Sequence, residues 1–328
     1  DSRYFNREGR YGEGGAYRDP NSPYRSWYDF DPKYKGGYRS WWGFETLPEV
    51  NEETPSFVEF ITGEGGVIDT WLRRGAAGFR LDVADELPDD FIEKIRAAVK
   101  RVSPEKFLLG EVWEDATTKY GFGQRRTYLL GKGLDSVMNY PFKNAVLDFV
   151  KGKPAQQAMG EILSICEHYP APAMDTALNF LSTHDTERAL TVIADEPANG
   201  RGREWQSGRC VTGEAYEEGM LRLRMAYAII YTLPGVPCLY YGDEIGMQGY
   251  RDPFNRGYYC WDSHEKRLRP VLAQLAQLRH TCEAFHSGAL RVLRADGGVL
   301  HYQRIGLVET AEIIVNRTEH LIVEPLAS

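Results

Sequence analysis

The sequence predicts an α/β fold built on a parallel sheet, followed by a small β domain. Short apolar segments alternate with amphipathic helical segments between residues 78 and 285, which is the pattern of repeated strand–helix units. Polar residues lie at or just beyond the C-terminal ends of several predicted strands, where a (β/α)₈ barrel carries its chemistry. From Gly288 onward the pattern changes to short strands separated by turns.

The N-terminal segment, residues 1–54, shows no sustained helical or strand period and is rich in Gly, Pro, Tyr and Trp. It is longer than an ordinary connection, so we predict a small loop-rich subdomain. Thr54 and Pro55 provide an N-cap and a first helical residue, and helical character then continues to Gly75. The glycines at 63, 65 and 66 predict an interruption in this helix.

The first predicted strand covers residues 78–83. With a period of two, Phe79, Leu81 and Val83 lie on one face, and Arg80 and Asp82 lie on the other. A charged pair on a buried strand is unfavourable unless it is paired or functional. The pair therefore marks either a structural ion pair or a site.

The remaining elements follow the same order. Helices are predicted at 88–101, from Pro141, and at 154–168, 214–232 and 268–285; strands are predicted at 107–110, 134–138, 177–181 and 236–241. A doubly wound sheet usually carries a glycine-rich phosphate loop. None is visible, because Gly63–Gly66 lies in a helical context.

Composition excludes several classes of function. The net charge is −8, which argues against a nucleic-acid partner and against attraction to anionic membranes. No apolar run approaches the roughly 20 residues that span a bilayer. The five cysteines are dispersed and form no Cys-x-x-Cys pair, so we predict reduced thiols, no zinc site and a cytoplasmic location.

Three carboxylates, Asp82, Glu111 and Asp185, follow three predicted strands. Two carboxylates that flank a bond are what glycoside hydrolysis requires. Arg80 would keep Asp82 ionised, as a nucleophile demands, and the apolar strand before Glu111 suits a general acid. Divalent-metal binding with His184, or purely structural charges, are the alternatives that spacing leaves open.

Three segments resemble signature regions of the α-amylase family of glycoside hydrolases: Gly78–Asp82, Gly110–Trp113 and Ser182–Thr186. Their order and intervals also fit that family. Further segments are similar to its neopullulanase and cyclomaltodextrinase branch and to its last barrel strand: Trp41–Gly43, Leu47–Asn51, Asp135–Pro141 and Pro234–Gly246. The resemblance covers essentially the whole chain.

The resemblance implies a TIM barrel and assigns roles to individual residues. Asp82 would be the nucleophile, Glu111 the general acid/base, and Asp185 the third carboxylate, which binds sugar hydroxyls and favours the distorted transition state. Arg80 would hold Asp82, and His184 would hydrogen-bond the sugar. Residues expected in neighbouring subsites are Trp113, Trp42, Tyr140, Glu86 and Arg188, with core packing or a solvated surface as the alternative for each.

The resemblance also predicts how the chain is organised. Residues 1–54 would be the subdomain inserted after barrel strand 3, residues 55–286 strands 4–8 with their helices, and residues 287–328 the start of a C-terminal antiparallel β domain. The first three strands would precede residue 1. We therefore expect this chain to be a fragment of a longer protein.

The predicted function is retaining hydrolysis of α-1,4 bonds in maltooligosaccharides, cyclodextrins, starch or pullulan, with an α-glucan as the partner and no required cofactor. The alternatives are an inactive fragment, a non-catalytic glucan-binding relative, and an α-1,6-glucosidase of the same family. Calcium is common in the inserted subdomain of this family but cannot be assigned. Asp19, Asp29 and Asp31 are candidate oxygen donors, with surface loop acids as the alternative. The sequence does not predict an oligomeric state.

Overall fold

In the computed structural model, which describes residues 2–323, residue contacts divide the chain into two units. The first unit comprises Asp1–Leu109 and Tyr120–Leu134, and the second comprises Gly110–Lys119 and Asp135–Ser328. The domain boundaries after residues 54 and 286 stay a prediction from the resemblance. No helix within residues 2–323 has both the length and the apolar character needed to cross a membrane.

The α-helices are short to medium in length, and most of them lie in the second unit. Helices α1 to α11 are Pro55–Thr62, Val67–Arg73, Asp89–Val102, Tyr140–Lys151, Ala155–His168, Ala171–Asp175, Ala189–Ala194, Arg203–Ser207, Gly213–Thr232, Leu268–Thr281 and Ala284–Ser287. Short 3₁₀ helices are Arg25–Trp27, Lys35–Gly37, Trp41–Gly43, Ala84–Glu86, Asp243–Ile245 and Phe254–Arg256.

The strands are short except at the C-terminal end of the chain. Strands β1 to β10 are Gly78–Leu81, Phe107–Gly110, Tyr120–Gly121, Gln124–Arg125, Ser136–Val137, Leu178–Asn179, Val236–Pro237, Ala289–Asp296, Val299–Ile305 and Thr310–Asn316. The sequence predicts longer strands at 134–138, 177–181 and 236–241. The structure forms only two residues of regular strand in each, so those predicted lengths are wrong.

The N-terminal part of the first unit is irregular, as the sequence predicts. Residues 2–54 contain 3₁₀ turns and isolated bridges such as Tyr28 with Val50. Aromatic rings supply the packing that regular elements do not. Phe5 is buried, and the centroid of its ring lies 4.8 Å from the ring centroid of Tyr28 and 4.7 Å from that of Tyr38. Both pairs have the edge-to-face geometry that aromatic rings prefer.

The predicted interruption of the first helix is confirmed. Helix α1 starts with Pro55 at its first turn and ends at Gly63, and α2 starts after Gly66. Gly65 has φ +74°, a conformation that favours glycine. The glycines therefore separate two helices at this point.

Strands β1 and β2 are hydrogen-bonded neighbours in the first unit. A Cβ atom on Gly78 would lie 2.0 Å from the carbonyl oxygen of Phe107, so only glycine permits this close approach. Strand β1 ends at Leu81, two residues earlier than predicted, because Val83 takes a left-handed conformation with φ +44°. Asp82 therefore lies at the first position after the strand.

In the second unit, the ends of neighbouring strands lie beside one another. The N–H of Met138, just after β5, donates to the carbonyl oxygen of Gly110 at 3.0 Å. Met138 forms a parallel bridge to Leu178, and β6 pairs in parallel with β7. Glu111 follows Gly110 directly in the chain, and the segment after β6 leads to Asp185. This order agrees with the parallel strands that the sequence predicts.

The C-terminal β domain is confirmed as an antiparallel sheet with the order β10–β9–β8. One helix prediction before it is wrong. The predicted helix at 268–285 is divided into α10 and α11 at Cys282, whose backbone is extended. The N–H of Glu283 donates to the carboxylate of Glu309 at 2.6 Å, so a contact from the sheet replaces a helical hydrogen bond there.

Candidate active site

The first predicted carboxylate, Asp82, follows β1 and is paired with Arg80. The Nη1 atom of Arg80 lies 2.6 Å from Oδ1 of Asp82, and the Asp82 side chain is 72% exposed. Asp82 also borders a cavity of about 960 Å³ within the first unit. The structure therefore brings together the predicted pair and leaves the carboxylate accessible to a ligand.

Glu86, in the turn that follows β1, holds two neighbouring tryptophans. Its Oε2 accepts a hydrogen bond from Nε1 of Trp41 at 2.6 Å, and its Oε1 accepts one from Nε1 of Trp42 at 2.8 Å. The two indole rings stack with centroids 5.4 Å apart and an interplanar angle of 27°. The outer ring, Trp42, is 76% exposed. The predicted subsite residues Trp42 and Glu86 thus lie together, and Trp42 forms an aromatic platform with Trp41, which was not predicted. All three residues border a cavity of about 700 Å³.

The turn that carries Glu86 is held by a buried arginine. Arg126 Nε lies 2.8 Å from Oδ1 of Asp89, and its Nη atoms donate to the carbonyl oxygens of Asp85 and Leu87 at 2.7 and 2.6 Å. Arg126 is not among the residues predicted from the sequence. It lies in an irregular segment with no motif, so nothing in the pattern links it to a turn about 40 residues earlier.

The second carboxylate, Glu111, lies in the second unit and is largely buried. Its Oε1 accepts a hydrogen bond from Nε1 of Trp113 at 2.9 Å. The Trp113 ring stacks on Tyr140 with centroids 4.4 Å apart and an interplanar angle of 12°. Tyr140 in turn packs edge-on against Phe180. The structure therefore brings together Glu111, Trp113 and Tyr140, as a buried carboxyl group beside a half-exposed aromatic face.

The third carboxylate, Asp185, also lies in the second unit and has a nitrogen of a neighbouring side chain beside each oxygen. Nε2 of His184 lies 3.1 Å from Oδ2, and Nη2 of Arg256 lies 3.4 Å from Oδ1. All three side chains are partly exposed. His184 was predicted and Arg256 was missed, because Arg256 is 71 residues away in the chain and follows no recognised motif.

Arg188 does not fit the prediction of a sugar contact. Its side chain is completely buried, and its Nη1 lies 3.2 Å from Oδ1 of Asp243 and donates to the carbonyl oxygen of Tyr241 at 2.7 Å. The guanidinium also lies over the rings of Tyr240 and Tyr241, at 4.7 and 4.8 Å from their centroids. A guanidinium enclosed in this way cannot reach a ligand, so we assign Arg188 to the packing beneath the site.

Asp243 is the buried partner of Arg188 and accepts two further hydrogen bonds. Ser182 Oγ and the Tyr227 hydroxyl donate to its Oδ2 at 2.6 and 2.7 Å. Burial raises the pKa of the Asp243 carboxyl to about 6, although these hydrogen bonds and Arg188 act in the opposite direction. Ser182 opens the segment that carries His184 and Asp185, so this buried cluster fixes one end of that segment.

The three acids considered as calcium donors contact different partners. Asp19 accepts a hydrogen bond from the N–H of Asn21, Asp29 accepts one from the Tyr34 hydroxyl, and Asp31 pairs with Lys33. Within residues 2–323, no group of three or more His, Cys, Asp or Glu side chains has an arrangement that could hold a metal ion. Calcium therefore stays unassigned.

Comparison with known proteins identifies the family. The model of the alpha-amylase catalytic domain matches residues 4–285, which is most of the chain. The chain belongs to the α-amylase family. This confirms the predicted resemblance and the predicted fold class, the TIM barrel of α-amylase catalytic domains with a C-terminal antiparallel sheet. Enzymes of the α-amylase family generally need no organic cofactor.

Relatives of this α-amylase family member carry related names. An amylopullulanase of Thermoanaerobacter thermohydrosulfuricus is 33% identical over 93% of the chain and 22% of the relative. A cyclomaltodextrinase of Geobacillus thermopakistaniensis is 31% identical over 85% of the chain and 43% of the relative. The chain therefore spans less than half the length of these curated relatives.

A solved structure shows the same fold. The ligand-free cyclic alpha-maltosyl-(1→6)-maltose hydrolase of Arthrobacter globiformis superposes with a TM-score of 0.78 at 26% identity. The match covers 93% of this chain and 63% of that one.

Proposed function

We propose that the protein containing this chain is a retaining glycoside hydrolase that cleaves α-1,4-glucosidic bonds in maltooligosaccharides, cyclodextrins and pullulan. One observation carries the proposal. Each of the three predicted carboxylates has a nitrogen-bearing side chain of its own beside it: Arg80 pairs with Asp82, Trp113 donates to Glu111, and His184 and Arg256 lie beside Asp185. Membership of the α-amylase family and the names of the relatives agree with it.

In the first proposed step, an oxygen of Asp82 attacks the anomeric carbon of the sugar. A glycosyl ester forms while the bond from that carbon to the glycosidic oxygen breaks. The Arg80 guanidinium, with Nη1 2.6 Å from Oδ1 of Asp82, holds the carboxylate in place for this attack. The exposure of Asp82 leaves room for the approach of the sugar.

Glu111 is the proposed proton donor and acceptor. It gives its proton to the departing glycosidic oxygen, and in the second step it takes a proton from the water that attacks the anomeric carbon and frees Asp82. The retaining mechanism operates with two carboxyl groups about 5–5.5 Å apart.

The surrounding residues are proposed to bind the glucan. Asp185, held by His184, would accept hydrogen bonds from sugar hydroxyls and strengthen them as the ring distorts. The half-exposed Trp113 ring, backed by Tyr140, offers an apolar face to a sugar ring. The Trp42 platform offers a second such face. The proposal uses no cofactor and leaves calcium open, and the cytoplasmic location predicted from the dispersed cysteines remains part of it.

The test uses the whole protein with maltooligosaccharides, a cyclodextrin and pullulan as substrates. We expect Asp82→Asn to abolish sugar release and Glu111→Gln to lower kcat by about 10²- to 10⁴-fold. Asp90→Asn is the control, because this exposed carboxylate on α3 pairs with Lys94 one helical turn away. It should retain full activity.

The products distinguish the alternatives. A retaining α-glucosidic hydrolase releases the α-anomer first, which proton NMR of fresh product detects. Pullulan consists of maltotriose units joined by α-1,6 bonds, so panose-type products report α-1,4 cleavage and maltotriose reports α-1,6 cleavage. Full activity of Asp82→Asn would refute the assigned nucleophile. Maltotriose binding by calorimetry without any hydrolysis would instead indicate a non-catalytic glucan-binding protein.

A further inference from the structure

Asn255 is a fully buried side chain that the proposed mechanism does not use. It lies in the short 3₁₀ turn Phe254–Arg256. Its Nδ2 atom lies 2.8 Å from the carbonyl oxygens of both His184 and Thr186, and 3.3 Å from that of Thr183. One amide group therefore contacts three backbone carbonyls of the segment that carries Asp185.

These carbonyls belong to a segment without regular structure. Residues 183–186 form neither helix nor strand, so no helical or sheet hydrogen bond is available to their carbonyl oxygens. Side-chain hydroxyls serve two of the backbone N–H groups, since Thr183 Oγ1 accepts from Asp185 at 3.1 Å and Thr186 Oγ1 accepts from Thr183 at 3.3 Å. Buried polar groups need partners, and Asn255 supplies them for the carbonyls.

Chemistry fixes the orientation of the Asn255 amide. Its two N–H donors face three acceptors, so at least one hydrogen bond is shared. The reverse orientation would place Oδ1 against three carbonyl oxygens with no donor between them. Oδ1 itself is buried and has no hydrogen-bond partner among residues 2–323. The donor side of the amide therefore makes the contacts that hold this side chain in place.

The neighbouring residue strengthens the same connection. Nε of Arg256 donates to the carbonyl oxygen of His184 at 3.0 Å, and its Nη2 lies 3.4 Å from the Asp185 carboxylate. Two consecutive residues thus contact one segment, Asn255 through the backbone and Arg256 partly through the carboxylate. Arg256 is partly exposed and Asn255 is not, so Asn255 is the more rigid of the two contacts.

We infer that Asn255 is a positioning residue that holds the backbone of residues 183–186 and thereby the direction of the Asp185 carboxylate. The inference rests on the proposed function, which gives Asp185 hydrogen bonds that strengthen in the distorted transition state. Loss of that alignment lowers kcat more than it raises KM, because the affected interactions are stronger in the transition state than in the ground state.

The experiment compares two variants of the whole protein on maltooligosaccharides. Asn255→Ala removes the amide, and Asn255→Asp keeps its shape but replaces the donor with an acceptor. We expect each variant to lower kcat about 10²-fold with little change in KM. Asn6→Ala is the matched control, because Asn6 is also fully buried and its Nδ2 also donates to loop carbonyls, those of Gly12 and Gly14. It should keep kcat.

A second readout separates positioning from general damage. If Asn255 acts through Asp185, Asn255→Ala should lower the residual kcat of Asp185→Asn much less than it lowers kcat of the wild type. Equal losses in both backgrounds would overturn the inference, as would wild-type kcat in Asn255→Asp, or failure of both Asn255 variants to fold. A wild-type protein that releases no sugar would instead overturn the proposed function, so the two failures are distinguishable.

Discussion

The buried pair of Arg188 and Asp243 should make the effect of an Arg188 substitution on the free energy of unfolding depend on pH. Arg188→Met removes the guanidinium but fills much of its volume, and it leaves the Asp243 carboxylate with only the hydroxyl groups of Ser182 and Tyr227. At 3.2 Å the lost attraction is about 5 kcal/mol for an effective dielectric constant of about 20. Removing one partner of a buried pair typically costs about 3–5 kcal/mol.

Protonation of Asp243 limits this loss at low pH. In the folded wild type the pKa of Asp243 is about 6, and without Arg188 the pKa rises further because Arg188 favours the anion. The unfolded carboxyl is ionised at pH 5 and at pH 8 in both proteins, so its contribution cancels. At pH 8 the Asp243 carboxyl is ionised in the folded wild type, whereas in the folded variant it stays protonated. Because pH 8 lies two units above the wild-type pKa of about 6, the variant's folded state is about 3 kcal/mol less stable for this reason. At pH 5 the wild-type carboxyl is already protonated, so this loss vanishes.

The free energy of unfolding from urea titrations at both pH values tests the reasoning. We expect Arg188→Met to be about 3 kcal/mol more destabilising at pH 8 than at pH 5, and the double variant with Asp243→Asn to lose this difference. Arg222→Met is the control, since the partly exposed Arg222 pairs with the exposed Glu218 one turn away in helix α9, and the substitution should cost about 0.5 kcal/mol or less. An equal loss at pH 5 and pH 8 would refute the charge-based explanation.

Three further predictions concern stability and binding. Gly78→Ala should destabilise the protein by about 1–3 kcal/mol, because its Cβ would clash with the Phe107 carbonyl. Gly160→Ala is the control in the same urea titration. Gly160 lies in α5 and a Cβ there would have no atom within 4 Å, so this substitution should instead stabilise the protein by up to about 1 kcal/mol. Arg126→Met should cost about 1–3 kcal/mol, because it leaves partly buried acceptors without their donor; a loss below about 0.5 kcal/mol would contradict this role. Trp42→Ala should raise KM for maltooligosaccharides about 2- to 10-fold through lost stacking while leaving thermal unfolding unchanged, and an unchanged KM would remove Trp42 from the binding surface.

Local sequence signals predicted the features that depend on neighbouring residues. The glycines at 63, 65 and 66 divide two helices: Gly65 takes a positive φ that favours glycine, and a Cβ on Gly63 or Gly66 would lie within 2.7 Å of a backbone carbonyl oxygen. One pair close in the chain was likewise predicted from the sequence. Arg80 meets Asp82, two residues away. The signature segments also sufficed to predict the family.

Tertiary structure decided what depends on contacts between distant segments. Arg188 lies three residues from Asp185 and was expected beside a sugar, yet Asp243, 55 residues later, holds it in the interior. Asn255 and Arg256 reach back about 70 residues to the Asp185 segment. The sequence by itself determined the family, the order of elements and the three carboxylates, because propensity and motifs act over a few residues. Long-range hydrogen bonds and burial decided which polar side chains are accessible to a ligand and which support them. A single sequence carries no local signal for such contacts.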